Sequence, residues 1–196
     1  MSAGNQYELK QWALGKTLVG IDEAGRGPLA GPLLVAGVIL PPYFELPELD
    51  DSKKLTETKR NELFKIIVSK TKYYVEIIPV EEIDTYDIYH ATKQAMIRIA
   101  EAADTPFVLT DAMPLEISKP HLSLIKGDHL SMSIAAASII AKVTRDQIMY
   151  AYDELFPEYE FKNHKGYPTK KHLAIMQSKG LLPIYRKSYR PVKELL

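Results

Sequence analysis

The chain has 196 residues, 46% hydrophobic and 26% charged, with 25 basic and 25 acidic side chains. That is enough apolar mass for one domain with its own core, or for one domain with a modest appendage. Cysteine is absent, which excludes disulfides and thiolate metal sites and favours an intracellular, cytoplasmic setting.

In chain order, the opening MSAGNQYELKQWALGK lacks the uninterrupted apolar stretch of a secretory signal. Thr17 to Ile21 is a short β-prone run, followed by the turn Gly25-Arg26-Gly27-Pro28. Leu33 to Leu40 is nearly all apolar and predicts a buried strand. The longest apolar region, Pro28 to Pro42, is too short to cross a bilayer and is broken by Gly31, Pro32 and Gly37, so no membrane role is expected. Asp50 to Lys54 predicts a polar loop, and Thr56 an N-cap for a helix carrying Leu63, Ile66 and Ile67. Tyr73 to Val80 predicts a third strand. Tyr86 to Ala103 predicts a helix, with Ile88, Ala91, Ala95, Met96 and Ile99 near the helical period. Phe107 to Thr110 and Leu122 to Ile125 predict the fourth and fifth strands. Ser131 or Ser133 caps a long helix whose first half is almost wholly apolar, and Thr169 caps a shorter one ending near Gly180. Three strands followed by alternating helix and strand predict an α/β fold with a mixed sheet flanked by helices.

The acids occupy informative places. Asp22 and Glu23 follow one apolar run, Asp111 follows another, and Asp128 lies just beyond a third. In open α/β sheets functional groups gather where strands end. Carboxylates gathered there repel, and a hard cation such as Mg²⁺ or Mn²⁺ relieves the repulsion while still accepting phosphate oxygens. Two such ions would activate water on one side of a phosphate and stabilise the leaving oxygen on the other. The alternative is that each acid caps its own turn. Glu23 carries a particular difficulty, since neighbours on a strand face opposite ways and share a site only if the strand has broken by then.

Other motifs exclude more than they assign. Gly20 and Gly25 have the spacing of a phosphate-binding loop, but Arg26 and Gly27 stand where Lys and Ser or Thr are needed. Gly25, Gly27 and Gly31 are one residue too wide for a dinucleotide fingerprint. No HExxH pair and no G-x-S-x-G elbow occur. Glycines around Arg26 let the backbone approach a ligand, or simply make a tight turn. His164 to His172 sets cations around Tyr167, which suits a nucleic-acid backbone plus stacking, or a packed loop. From Lys162 to Leu196 nine basic residues face one acid, leaving 16 basic and 24 acidic residues elsewhere. Such segregation suggests a basic appendage for a polyanion, or a solvated helical face. A phosphate-loop hydrolase and a non-catalytic RNA-binding protein are the rival readings.

GIDEAGRGPLAGP (20–32), DSKKL (51–55), TDA (110–112), KGD (126–128), IAAASIIAKVTRD (134–146) and HKGYPTKKH (164–172) together resemble the motif series of prokaryotic ribonuclease HII. The resemblance runs from about residue 17 to 191. It implies a ribonuclease H-like mixed five-stranded sheet in a catalytic domain over 1–145, with a basic helical extension over 146–196 packed on it. It implies a metal-dependent endonuclease, using two Mn²⁺ or Mg²⁺ ions. Such an enzyme cuts the RNA strand of RNA–DNA hybrids and incises 5′ of single ribonucleotides in duplex DNA, leaving 3′-hydroxyl and 5′-phosphate ends. The four catalytic acids then fall on Asp22, Glu23, Asp111 and Asp128. Gly25, Arg26 and Gly27 surround the ribonucleotide, and Tyr167 senses the RNA–DNA junction. Ser52 and Lys53 touch the nucleic-acid backbone, and Ser138 and Lys142 stand on the buried helix near the site. A monomer is expected. The chain departs from the family's tail pattern, where a His-Arg pair precedes Ser-Phe, at Tyr185-Arg186 and Ser188-Tyr189. These departures are expected to lie away from the acids.

Overall fold

A computed structural model of the chain describes residues 3–46, 49 and 55–196. Ser52 and Lys53 lie outside the described residues. After the helix α1 (Gln6–Trp12) come strands β1 (Val19–Ala24) and β2 (Leu33–Ile39), helix α2 (Glu57–Lys70) and strand β3 (Lys72–Ile78). Helices α3 (Val80–Tyr86) and α4 (Ile88–Ala102) lead to β4 (Val108–Asp111) and β5 (His121–Leu124). The short α5 (Gly127–Leu130) precedes the long α6 (Met132–Leu155). A 3₁₀ turn (Pro157–Tyr159), α7 (Phe161–His164), α8 (Lys170–Lys179) and α9 (Arg190–Lys193) complete the chain. No helix among the described residues is long and apolar enough to cross a membrane.

The sheet has the order β3-β2-β1-β4-β5. Only β2 runs antiparallel to its neighbours; β1, β4 and β5 are parallel. This is the expected mixed five-stranded sheet. Strand β2 is buried along its whole length because both faces are covered. Leu34, Ala36 and Val38 pack with α2 and α6, while Leu33, Val35 and Ile39 pack with α4. On β1, a Cβ added at Gly20 would meet the backbone of Ser133 and Ile134 at 2.4 Å. Only glycine lets α6 sit that close to the strand.

Several boundaries differ from the sequence expectation. β1 does not stop at Ile21 but continues through Asp22 and Glu23, since β2 pairs with it as far as Ala24. The third strand ends at Ile78, because Pro79 has no N–H for a ladder and opens α3 instead. The helix expected over 86–103 is α4 and starts after Asp87, whose φ is +66° and whose carboxylate caps it by accepting from His90 N at 2.9 Å; the separate α3 before it was not expected. Helix α1 lacks a strong pattern and was not expected. The junction at 145/146, where the basic extension is expected to begin, lies inside the uninterrupted α6.

Helix α1 supplies a buried carboxylate to the start of α6. Glu8 is 1% exposed. Its Oε1 accepts from the Ser131 hydroxyl at 2.5 Å and from Ser133 N at 2.9 Å, while Ser131 Oγ accepts from Ile134 N at 3.3 Å. An acid at a helix N-terminus satisfies amides that have no partner within the helix and favours the helix dipole. Glu8→Ala should therefore destabilise the protein by about 1–3 kcal/mol, the cost of leaving buried donors unpaired. At this size that is roughly 2–4 °C of Tm per kcal/mol. Glu8→Gln, which keeps an acceptor, should lose much less. Equal losses in thermal or urea denaturation would show that packing of α1, not capping, carries the effect.

Candidate active site

Asp22 is 6% exposed and faces α6, where the Ser138 hydroxyl hydrogen-bonds to it. Its Oδ1 also accepts from Glu23 N at 2.7 Å. Burial, then the neighbouring Glu23 and Asp111 charges, push its carboxyl well above the usual carboxylate range, against the lowering effect of those two hydrogen bonds. The acid is thus held where its charged form is disfavoured.

The strand ladder explains how three acids meet. β1 and β4 pair only as far as Ile21 and Thr110. Beyond that point the β4 edge of β1 is open, at the place where the chain's order across the sheet reverses. Alternation puts Asp22 on the α6 side, and Glu23 reaches the same cleft from the open edge. The strand has not broken, so the difficulty posed by Glu23 is resolved by lost pairing rather than by lost strand. Asp111 ends β4, and its Oδ1 accepts from Gly127 N at 2.7 Å. That bond brings α5 against the site, with Asp128, buried, as its next residue.

A cleft of about 210 Å³ is lined by eight expected residues: Asp22, Glu23, Gly25, Arg26, Gly27, Ser138, Lys142 and Tyr167. Ala24 and Arg145 complete its wall. Asp111 joins through its field at Asp22, whereas Asp128 stands behind it and does not line the cleft. Lys142 is held by Asp146 at 2.7 Å, one turn along α6. Among the described residues no three carboxylate or imidazole groups stand closely enough to hold a metal ion as placed. The reason is visible in their partners: Glu23 turns towards Arg26 at 3.7 Å, and Asp111 towards Gly127. The donor set itself fits a hard cation, being all oxygen and centred on a buried acid whose charge a cation would stabilise.

Two arginines not placed at the site from the sequence support it, Arg145 on the cleft wall and Arg186 behind it. Arg145 is 1% exposed and donates to the carbonyls of Pro32 (3.0 Å), Lys165 (3.0 Å) and Ala30 (3.1 Å). Burial, then the nearby Arg186, lower its pKa to about 10. Arg186, fully buried, donates to the carbonyls of Gly25 (2.7 Å), Arg26 (3.1 Å) and Gly31 (2.9 Å). Tyr189 OH reaches the same Arg26 carbonyl. The tail residues therefore do not lie away from the site; they clamp the loop beside the acids, because a guanidinium can satisfy several backbone carbonyls at once. A signal for Arg145 existed. Ser138, Lys142, Arg145 and Met149 fall on one face of a helix, and a cation on an otherwise apolar face needs a partner.

The clamp has a consequence for the loop's amides. In a trans peptide the C=O of one residue and the N–H of the next point in opposite directions. With the Gly25 and Arg26 carbonyls turned to Arg186, the Arg26 and Gly27 N–H groups face away from it, on the cleft-lining segment. Among the described residues neither N–H has a backbone acceptor. The two glycines differ in kind. Gly25 has φ +99°, and a Cβ there would lie 2.2 Å from Arg145 Nε. A Cβ at Gly27 would meet only the Tyr167 ring, at an ordinary 3.5 Å.

The nine cations of the tail are less available than their number suggests. Arg186 is buried in the clamp. Lys162, Lys171 and Arg190 pair with Asp153, Glu160 and Glu194.

A family model for Ribonuclease HII matches residues 19–191. Ribonuclease HII of Listeria monocytogenes serotype 4b (strain F2365) is 53% identical over 196 residues, an alignment covering 96% of this chain and 74% of that protein. Among solved structures, ribonuclease H2 from Pyrococcus horikoshii OT3 superposes with a TM-score of 0.76 at 23% identity, covering 91% of this chain and 96% of that one. Bst-RNase HIII in complex with Mn²⁺ has a TM-score of 0.66 at 16% identity, covering 92% of this chain and 69% of that one. By its sequence along nearly its whole length, with the fold in agreement, the chain belongs to the ribonuclease HII family of nucleases, which cleave RNA in RNA–DNA hybrids.

Proposed function

We propose that this chain is an endonuclease that hydrolyses the RNA strand of RNA–DNA hybrids and incises 5′ of single ribonucleotides in duplex DNA, leaving 3′-hydroxyl and 5′-phosphate ends. Asp22, Glu23, Asp111 and Asp128 would hold two divalent cations, Mg²⁺ or Mn²⁺. The observation that carries this reading is the buried Asp22, pushed towards its neutral form beside Glu23 and Asp111. Isolated turn-capping acids would not share one field. The structural relative solved with Mn²⁺ supports the choice of a hard cation. When bound, the ions supply charge for the scissile phosphate and a water of lowered pKa. The chain's own residues do the rest. Asp22 is oriented by Ser138 and by its bond from Glu23 N. Lys142 and Arg26 meet phosphate charge, and the Arg26 and Gly27 amides meet the ribose 2′-hydroxyl, which both donates and accepts. Tyr167 stacks on the neighbouring sugar. Ser52 and Lys53 would contact the backbone of the duplex.

The direct test is a labelled DNA duplex with one ribonucleotide, incubated with Mg²⁺ or Mn²⁺, with Zn²⁺, or with chelator. Cleavage should need Mg²⁺ or Mn²⁺, with Zn²⁺ a poor substitute, because the ligands are all oxygen. Full activity after exhaustive chelation would overturn the metal assignment.

Asp22→Asn and Asp111→Asn should each lower turnover by several orders of magnitude while keeping the fold, since the metal contribution is worth several kcal/mol. A second readout follows from the sign of the Asp22 shift. Its folded pKa lies above the unfolded value, so its contribution is present in acid and lost as pH rises through the folded pKa. At neutral pH, Asp22→Asn should therefore raise Tm in chelator, and it should abolish the Tm increase that Mn²⁺ gives the parent protein. A variant less stable than the parent in chelator would contradict the repulsion.

Tyr167→Ala should slow cleavage of a single embedded ribonucleotide more than cleavage of a uniform hybrid, and Tyr167→Phe should keep much of the rate if stacking dominates. Gly27→Ala should leave stability within about 0.5 kcal/mol of the parent yet weaken ribonucleotide-dependent cleavage. Gly25→Ala should instead destabilise the fold. If Gly27→Ala cleaves normally, the close approach of backbone to ribose does not occur there.

A further inference from the structure

Behind Tyr167 lies a pair of histidines that the reaction does not use. His164 and His172 are 7% and 0% exposed, and their rings stack with centroids 3.9 Å apart and planes 12° from parallel. The edge of Phe161 packs on both. Each ring is tied to the Tyr167 loop by an atom-specific bond. Gly166 N donates to His164 Nδ1 at 3.1 Å, so that nitrogen carries no proton. His164 Nε2–H then donates to the Tyr159 carbonyl at 2.8 Å. His172 has the opposite tautomer. Its Nδ1–H donates to the Tyr167 carbonyl at 2.8 Å, leaving Nε2 to accept from Tyr185 OH at 2.8 Å.

The charged form does not fit His164, nor both rings at once. A proton on His164 Nδ1 would face the Gly166 N–H, donor against donor, and two stacked imidazolium ions would repel. Burial lowers both pKa values, that of His172 to about 4. The acids near His164, Glu160 and Asp153, oppose this only weakly, and Lys165 acts with it. The remaining backbone groups of the loop are also fixed. Arg145 holds the Lys165 carbonyl, Leu29 N holds the Gly166 carbonyl, and Tyr167 N donates to the His164 carbonyl.

We propose that His164 and His172, a neutral stacked pair with Tyr185 behind it, are specificity-positioning residues that set the Tyr167 ring opposite Gly27. The inference rests on the proposed role of Tyr167. It goes further in assigning junction selectivity to buried groups that touch no substrate. A ring on a flexible loop would stack on many sugars; a ring whose peptide is tied by opposed tautomers has one address. His172→Ala should lower the ratio of single-turnover rates, embedded ribonucleotide over uniform hybrid, by about tenfold, since the Tyr167 carbonyl loses one of its two donors and keeps only Thr169 N. His172→Asn, whose side-chain amide can still donate to the Tyr167 carbonyl, should restore most of the ratio. Tyr185→Phe removes one oxygen from the network, keeps the ring packing, and should lower the ratio by a smaller factor. Imidazole ¹⁵N spectra of the parent protein give a readout of the hydrogen-bonded tautomers: His172 protonated on Nδ1, His164 on Nε2, and His172 neutral at pH 5.5.

If His172→Ala slows both substrates equally while Tyr167→Ala changes the ratio, the pair is packing only and the inference fails, leaving the reading of Tyr167 intact. If Tyr167→Ala also leaves the ratio unchanged, both fail. Should His172→Ala not fold, Tyr185→Phe and the spectra decide, and a charged or oppositely protonated His172 overturns the proposal.

Discussion

The close contact between α6 and β1 at Gly20 governs most of what the cleft contains. Once the helix lies against the strand there, its next turns are fixed in height along β1. Ser138 then meets Asp22, Lys142 opens into the cleft, Arg145 reaches the loop that follows the strand, and Met149 lies against Gly31. A side chain at position 20 would lift the helix and displace all four together. The same helix begins on the buried Glu8 and on α5, which carries Asp128, so the acids and the loop are referred to one rigid rod.

Charge in this site is separated by depth. The carboxylates meet where β1 and β4 part, with Arg26 3.7 Å from Glu23. The two buried guanidinium groups hydrogen-bond carbonyl oxygens and one phenol; burial lowers the pKa of both, and Arg186 lowers that of Arg145 further. Buried charges are normally paired. Here the opposite charges are kept apart by the Gly25–Pro32 loop, so neither set cancels the field of the other.

The nearness of Asp22 to Asp111 was legible because acids that follow apolar runs lie towards the ends of strands, although only Asp111 ends its strand, Asp22 lying within β1 and Asp128 on α5. The sheet was legible for the same reason, since β2 carries an unbroken apolar run. Element ends were harder. Asp87 caps α4, so the helix expected from Tyr86 begins two residues later, at Ile88, and α3, whose first residue was expected to end a strand, was not expected. Glu23 could not be assigned from alternation, because the property that admits it is a partner strand that stops, and pairing is not written in the strand's own residues. Arg186 was opaque. Its partners are carbonyls of residues 25, 26 and 31, which have no side-chain signature and lie more than 150 positions away.

These long-range bonds also decide what the C-terminal segment is for. A basic appendage bound only through its surface could be removed and leave an intact, weaker nuclease. In this chain removal from Lys162 onward would take away Arg186, Tyr185 and Tyr167 together. It would leave the carbonyls of Gly25, Arg26 and Gly31 without their donors and expose Leu29, Ala30 and Met149, which share a core cluster with Tyr185 and Val192. The loop would then lose the orientation that turns its amides to the cleft, even with every acid in place. Loss of activity on truncation would therefore say little about charge. The segment's basic residues and its buried ones act on different quantities. Exposed lysines set how strongly a polyanion is attracted and how salt weakens it. Arg186 sets the direction of two peptide groups, which salt does not reach. A substitution series that moves one quantity without the other separates attraction of a polyanion from the placing of the loop's amides.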